Sequence, residues 1–482
     1  MRALSLLLYG LSGCWLTAHG QATSTDLPER IRQVETGLLP SIIVEGDSIT
    51  QFSIQDRMKF HKVPGLSIAV IRNGKLDWAK GYGVASQEGD RPVDTNTLFQ
   101  AASISKPVAA LAALHWVEAG KLALDANINT YLKGWQVPDI KFTTTEKVTL
   151  RRLVTHTAGL TVHGFRGYAK GEDVPTLVQV LNGEKPANSK AILPDTIPGK
   201  INRYSGGGYT IMQKALIDQV GKPFPQIMQE TVLSKIGMNH STYEQPLPAR
   251  FDAVAASGYA SNGKPIKGSW HTYPEMAAAG LWTTPSDLAH YVIEVQQSLQ
   301  GKSNRVISRQ MTEQMLTPGL GGTGLGPGLQ KEGDSLIFSH SGANEGFRCI
   351  FVAHARRGDG VVVMTNSDNG MAIASELLKG VSAVYGWDFG KPMRLPKVSF
   401  SAQQANQVMG KYKWNKYTFE LIQTRGRFYV KPDWEDDLTE IIPQTSKQFI
   451  ARDGQRLELQ YEGETNVTGI KLNGQEVFVK VK

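Results

Sequence analysis

Ser103 and Lys106 stand three residues apart at the head of a long apolar run, Pro107-Val108-Ala109 through Trp116-Val117. The apolar residues of that run recur at helical spacing. Positions i and i+3 share a helix face, so the Ser103 hydroxyl and the Lys106 amine can meet. A serine hydroxyl is a poor nucleophile until a base takes its proton. A lysine withdrawn from water loses its charge readily and can be that base. Ser261-Asn262-Gly263-Lys264 repeats the spacing. There Asn-Gly signals a turn, so that copy reads as a surface hairpin. The pattern alone is weak, and its weight depends on partners elsewhere.

Two stretches supply such partners. In Tyr204-Ser205-Gly206-Gly207-Gly208 a tyrosine sits on a glycine-rich loop before a helix. A phenol beside a lysine ammonium should have its charged form favoured, and it could shuttle a proton to and from Ser103. In Ser339-His340-Ser341-Gly342-Ala343, between two strands, Gly342 should let a substrate approach the strand backbone closely. The N–H groups of Ala343 and Ser103 could then pair on a tetrahedral oxyanion. His340 could hydrogen-bond Tyr204 or a substrate carboxylate.

The elements that must position these residues follow from pattern. Residues 26–62 read as helix, loop, helix, the second helix opened by Ser53. Leu66–Ile71 is a strand, Asn73-Gly74 a tight hairpin signal, and Lys75–Val84 the return strand. From Gly120 to about Arg250 helices and loops dominate, with helices at Thr210–Val220 and, capped by Ser286, at Asp287–Leu299. Strand signals resume at Leu336–Phe338, Phe347–Ala353 and Gly360–Met364, before a helix at Met371–Tyr385. The expected fold class is α+β: one antiparallel sheet flanked by helices, with an all-helical block inserted. The Pro/Lys-rich joint Lys391–Lys397 marks a boundary. Beyond it, five short alternating runs (Thr418–Ile422, Arg427–Val430, Gln448–Ile450, Leu457–Leu459, Val477–Val479) predict a small all-β barrel domain over residues 398–482. The main domain is placed at residues 25–390.

At 482 residues, 41% hydrophobic and 20% charged, the chain is ordinary globular material. Its net charge of +8 is dispersed, with no basic run that would mark a nucleic-acid partner. Met1-Arg2, the short apolar run to Ala18 and the small-x-small Ala18-His19-Gly20 predict a cleaved secretory signal over residues 1–20. Leu11-Ser12-Gly13-Cys14 offers a second reading, a lipobox that would tether the protein to a membrane through Cys14. The other cysteine, Cys349, reads as a small buried apolar side chain in a strand.

Ser103-x-x-Lys106, Tyr204-Ser205-Gly206 and His340-Ser341-Gly342, in that order, resemble the penicillin-recognising serine hydrolases. The branch they are most similar to contains the class C (AmpC-type) β-lactamases, DD-carboxypeptidases, D-aminopeptidases and related esterases. Val63-Pro64-Gly65, His156-Thr157-Ala158-Gly159-Leu160 and Ala278–Asp287 add to the resemblance, which covers about residues 50–390. The C-terminal domain is similar to lipocalin-like domains appended to some of these hydrolases.

The resemblance implies that Ser103 is the nucleophile, that Lys106 and Tyr204 share the base role, and that Tyr204 helps activate the deacylating water. His340 stands where lactamases carry lysine, and Gly206 replaces an asparagine whose amide holds the substrate acyl side chain. Ser341, Gly342, Ala343 and Gly206 would line the substrate. His163 is a further candidate for the cleft wall, and His156 reads as structural. These departures point away from an efficient β-lactamase and toward a secreted or periplasmic peptidase or esterase acting through an acyl-enzyme, on small molecules, peptides or cell-wall fragments. No metal or cofactor is called for. The alternatives are a catalytically silent penicillin- or cell-wall-binding receptor and a true class C enzyme.

Overall fold

The computed structural model describes residues 26–434, 438–452 and 454–481; the proposed signal and Cys14 lie outside them. A seven-stranded antiparallel sheet forms the centre. Strand Gly65–Arg72 pairs on one side with Lys75–Ser86 and on the other with Gly360–Thr365. Phe347–His354, Ser335–Asn344 and Gly328–Glu332 follow outward in that order. The first hairpin therefore joins the late strands, as expected. Asn73 and Gly74 both adopt positive φ in the turn between the first two strands, the conformation that favours Asn-Gly there.

The two middle strands are apolar on both faces because helices cover both. Ala69, Ile71, Val362 and Met364 face the larger core. Leu66, Ile68, Val70, Val361 and Val363 face the other, closed by helices Leu27–Thr36, Ile54–Phe60 and Gly370–Tyr385. Nine α-helices, from Ser105–Glu118 to Arg309–Met315, are inserted between Arg91–Pro92 and Gly328–Glu332. Helix Ser105–Glu118 is buried from Ser105 to Leu114, at the middle of the larger core. Helix Pro285–Leu299 is capped by Thr284, whose hydroxyl accepts from Asp287 N–H. The cap falls two residues before Ser286 because proline suits the first helical turn.

The C-terminal domain is a closed barrel of eight strands, from Gly410–Trp414 to Glu476–Lys480. Its interior is filled by side chains, among them Tyr412, Phe419, Phe428, Phe449 and Phe478, with Ala405 and Val408 from helix Ala402–Val408 packed against them. Strand Ile42–Val44 pairs in parallel with Met393–Leu395, and the barrel docks there. Ile442 and Ile450 pack on Ile42 and Leu395. Arg427 bridges Asp47 and Glu440, and Arg452 joins Glu440 to the Ile42 carbonyl. Among the described residues no helix is long and apolar enough to cross a membrane.

Candidate active site

Ser103 lies in a single 3₁₀ turn, Ala102–Ile104, that runs directly into helix Ser105–Glu118. Ala102 is held at φ +48°, a left-handed conformation that disfavours a residue with a Cβ. Several bonds fasten the turn. Ala101 N–H donates to Leu281 O, the Ser105 hydroxyl donates to Ala102 O and accepts from Leu281 N–H, and Cys349 Sγ reaches Ala101 O. A Cβ added at Gly342 would collide with Ala101 O, Cys349 Sγ and the Ala102 side chain. On that face of the strand the glycine lets the Ser103 turn close against the backbone.

Lys106 is 2% exposed. Its Nζ lies 2.9 Å from Ser103 Oγ and donates to Ala278 O at 2.7 Å. No carboxylate offsets its charge. Glu275, three residues before Ala278, is wholly buried, and burial pushes its carboxyl up to about 8, so it is uncharged at neutral pH. Burial alone lowers Lys106 to about 7. An amine that is partly neutral at physiological pH, 2.9 Å from a hydroxyl, is placed to take its proton.

The Tyr204 phenol hydrogen-bonds Ser103. The Lys106 ammonium lies 5.0 Å from the Tyr204 ring centre, over its π face. The expectation of a favoured phenolate is not met. Burial outweighs the bond to Ser103 and pushes Tyr204 up to about 12. Tyr204 therefore stays a neutral phenol, able to donate and accept.

His156 holds the tyrosine in place. Its carbonyl accepts from Arg203 N–H at 2.8 Å and its Nδ1 from Ser205 N–H at 3.1 Å, so both amides flanking Tyr204 hang from one residue. Its ring lies against the Tyr204 ring, centroids 4.2 Å apart and tilted 31°. The backbone adopts φ +58° to do this. Since Nδ1 accepts, the proton sits on Nε2, which is buried without a partner. Burial, then the nearby Lys106 charge, drives His156 well below the ordinary histidine range. The sequence reading of His156 as structural missed this clamp. Its place in a motif of the resembled family was the available signal.

His340 lies 6.3 Å from Tyr204, ring to ring, and its Nδ1 bonds Ser341 O at 2.7 Å. Burial and the Lys106 charge lower it to about 4. A neutral imidazole stands there, with Nε2 free of that bond to accept a hydrogen bond. Leu336 O accepts from Ala355 N–H, so even-numbered residues of strand Ser335–Asn344 turn their amides toward Phe347–His354, and odd-numbered ones away. Strand Gly328–Glu332 covers the far side only as far as Ser339. Ser341 and Ala343 therefore present backbone groups at an open edge, and Gly342 seats that edge against the Ser103 turn. Asn344 anchors its end through Gln100 Oε1 and Ala279 O.

Gly206, wholly buried, begins helix Gly206–Val220. The helix starts four residues earlier than its pattern predicts. Ser205 caps it through Gly208 N–H, while Gly206 and Gly207 N–H donate to His163 O and Val162 O. His163 is exposed, its ring 4.9 Å from Tyr204. Among the described residues no group of three or more His, Cys, Asp or Glu is arranged to hold a metal.

This fold and these motifs define a class, the penicillin-recognising serine hydrolases. The chain belongs to the Beta-lactamase family, whose model matches residues 53–381. It is 30% identical over 244 residues to a β-lactamase of Pseudomonas fluorescens, an alignment spanning 51% of this chain and 63% of that protein. The octameric penicillin-binding protein homologue of Pyrococcus abyssi superposes with TM-score 0.61 at 22% identity, covering 89% of this chain and 98% of that one. A D-alanine carboxypeptidase AmpC of Burkholderia cenocepacia gives TM-score 0.52 at 21% identity, covering 67% and 96%.

Proposed function

We propose that the chain is a secreted hydrolase that opens an amide or ester through an acyl-enzyme on Ser103, and that it is not an efficient β-lactamase. The observation that carries this is the Lys106 amine, buried, lowered to about 7 and 2.9 Å from Ser103 Oγ. Neutral Lys106 takes the Ser103 proton as Oγ bonds to the carbonyl carbon, and the carbonyl π electrons move to oxygen. The oxyanion is met by Ser103 and Ala343 N–H. Collapse expels the alcohol or amine, which takes a proton relayed from Lys106 through Tyr204. Water then adds to the ester, its proton returning by the same route, and Ser103 is released with the free acid.

A D-amino-acid peptide or cell-wall fragment is one substrate class, and an ester is the other. The absence of a side-chain amide at Gly206 and the neutral imidazole at His340 support both over a β-lactam. Secretion rests on the N-terminal sequence pattern. The test is intact-mass and peptide mapping after reaction with a fluorophosphonate. Wild type is expected to gain one adduct on Ser103 and Ser103→Ala none; an adduct on another residue, or none on wild type, overturns the assignment.

A further inference from the structure

We propose that a cavity at the end of the central sheet remote from Ser103 binds a phosphate ester that also carries hydroxyl groups, with the size and charge of a sugar bisphosphate.

The cavity measures about 440 Å³, within the range of small-molecule sites. It lies between the Asn73-Gly74 turn, the turn that follows strand Phe347–His354, and the end of helix Pro285–Leu299. Cys349 of that strand touches the Ser103 turn at Ala101 O. His354, five residues further along, accepts from Gln296 in the cavity wall, which sets the two places about 16 Å apart along the strand.

Lys75, Lys302, Arg356 and Arg357 line the cavity, and none of its lining residues is acidic. They come from three separate stretches, so charge that is dispersed along the sequence is gathered here by the fold. Among the described residues Lys75, Lys302 and Arg356 enter no ion pair, while Arg357 is held by Asp388 at 2.7 Å. Burial pushes the neighbouring Asp359 carboxyl up, and it accepts from the Asn73 backbone. Unpaired cations around one space repel one another, and an anion bound among them removes that repulsion.

The walls are braced before any ligand arrives. Gly74 N–H donates to Gly358 O at 2.8 Å, and a Cβ at Gly358 would stand 2.2 Å from Gly74 N, so the two turns are in direct contact. Arg356 and Arg357 N–H both donate to His354 Nδ1 at 3.0 Å. Gln300 Nε2 donates to Arg356 O at 2.9 Å and Gln297 Nε2 to Gly74 O at 3.3 Å. Gln296 Nε2 donates to both His354 O and Asp359 O. A site already in shape loses less freedom on binding.

These bonds also set what the ligand must carry. All three glutamines line the cavity. Each turns its amide nitrogen to a backbone carbonyl and keeps Oε1 as an acceptor. Gln296 Oε1 is buried and meets no donor, a costly state that a donor relieves. A bare phosphate brings chiefly acceptors, which suit the cations and not these oxygens. A phosphate ester with hydroxyls suits both.

The test titrates the full chain calorimetrically with fructose bisphosphate, inorganic pyrophosphate and fructose. Fructose bisphosphate is expected to bind at least about tenfold more tightly than pyrophosphate, and fructose not to bind. Lys302→Gln with Arg356→Gln should weaken fructose bisphosphate at least about thirtyfold and leave the melting temperature of the free protein unchanged. Gln296→Met should bring fructose bisphosphate to the pyrophosphate level while pyrophosphate moves less than about twofold. Should that variant not fold, Gln300→Met reads the same ratio. Pelleting with phosphatidylcholine vesicles that contain phosphatidylinositol phosphate separates the sources of the ester. Co-sedimentation that the double variant abolishes assigns it to a lipid headgroup, and binding of fructose bisphosphate alone assigns it to a soluble ester. Equal affinity for fructose bisphosphate and pyrophosphate, wild-type binding by the double variant, or binding of neither the soluble ester nor the vesicles overturns the site.

Discussion

The cleft and the barrel are built to different standards. In the barrel, Asn415, Arg425 and Asn473 adopt positive φ, and each sits in the turn of a hairpin, where such backbone is required. Around Ser103, Ala102, His156 and Val162 adopt it where no hairpin asks for it. Among the described residues, buried side-chain polar atoms without partners include His156 Nε2 and both Glu275 oxygens, and none of them lies in the barrel. The barrel core is aromatic and aliphatic throughout. Strained backbone and unmet polarity both occur beside Ser103, where residues must be held for chemistry, whereas the described residues of the barrel show no unpartnered buried side-chain atom and, outside glycine, positive φ only in hairpin turns.

The sharpest way to break this contrast is at its centre. Ser103→Ala should lower hydrolysis by at least about 10³-fold with the melting temperature unchanged, read by ester turnover and calorimetry. Lys106→Met should cost about 10²–10⁴-fold in acylation, yet raise stability. The sign follows from the lowered amine. Between about 7 and the usual lysine value the unfolded chain holds a proton that the folded chain has shed, so the penalty of burying Lys106 is complete below about 7 and shrinks as pH rises. The gain in melting temperature should therefore be larger at pH 6 than at pH 9. The wild-type acylation rate should rise with pH through about 7 for the same reason; a flat profile from 5 to 9 would remove Lys106 as the base. On the other side of the comparison, Phe419→Ala should destabilise the barrel by about 3–5 kcal/mol while Ser103 is still acylated at the wild-type rate in the native range. The smallest effect belongs to Ala102→Gly. Relief of left-handed strain and the greater freedom of the unfolded glycine offset one another to within about 1 kcal/mol, while acylation slows several-fold as the turn loosens. If it destabilises as much as Phe419→Ala, strain at Ser103 is not what sets the two regions apart.

Much of this was legible in the sequence where local pattern and tertiary role agree. The Asn73-Gly74 hairpin, the buried strands and the Ser103-Lys106 spacing all carry their own signals. The start of helix Gly206–Val220 does not, because three consecutive glycines are poor helix formers and bonds to the Val162 and His163 carbonyls, with the Ser205 cap, fix them there. Two barrel strands, Thr439–Pro443 and Asn466–Leu472, lack clean alternation and form because their neighbours in the closed barrel require them; a third, Gly410–Trp414, alternates lysine with aromatic residues but is only five residues long. The neutral state of Tyr204 depends on how dry its surroundings are, a property of residues distant in sequence. The clamp of His156 on Arg203 and Ser205 spans 47 and 49 positions, and Phe165 meets Gly206 from another loop. Residue type announces a nucleophile and its base, but the walls around them are written in contacts.

The parallel pairing of Ile42–Val44 with Met393–Leu395 also fixes an order of events. A chain delivered from its N-terminal end must leave its first strand without a partner while 351 further residues appear, from Ile42 to Met393. At roughly 5–20 residues per second that wait is about 18–70 s. The barrel surface that then covers Ile42 and Leu395 is made last of all. Strand Ile42–Val44 is thus finished by residues made much later, so a chain that stops short of the barrel leaves an apolar seam open beside Ile42.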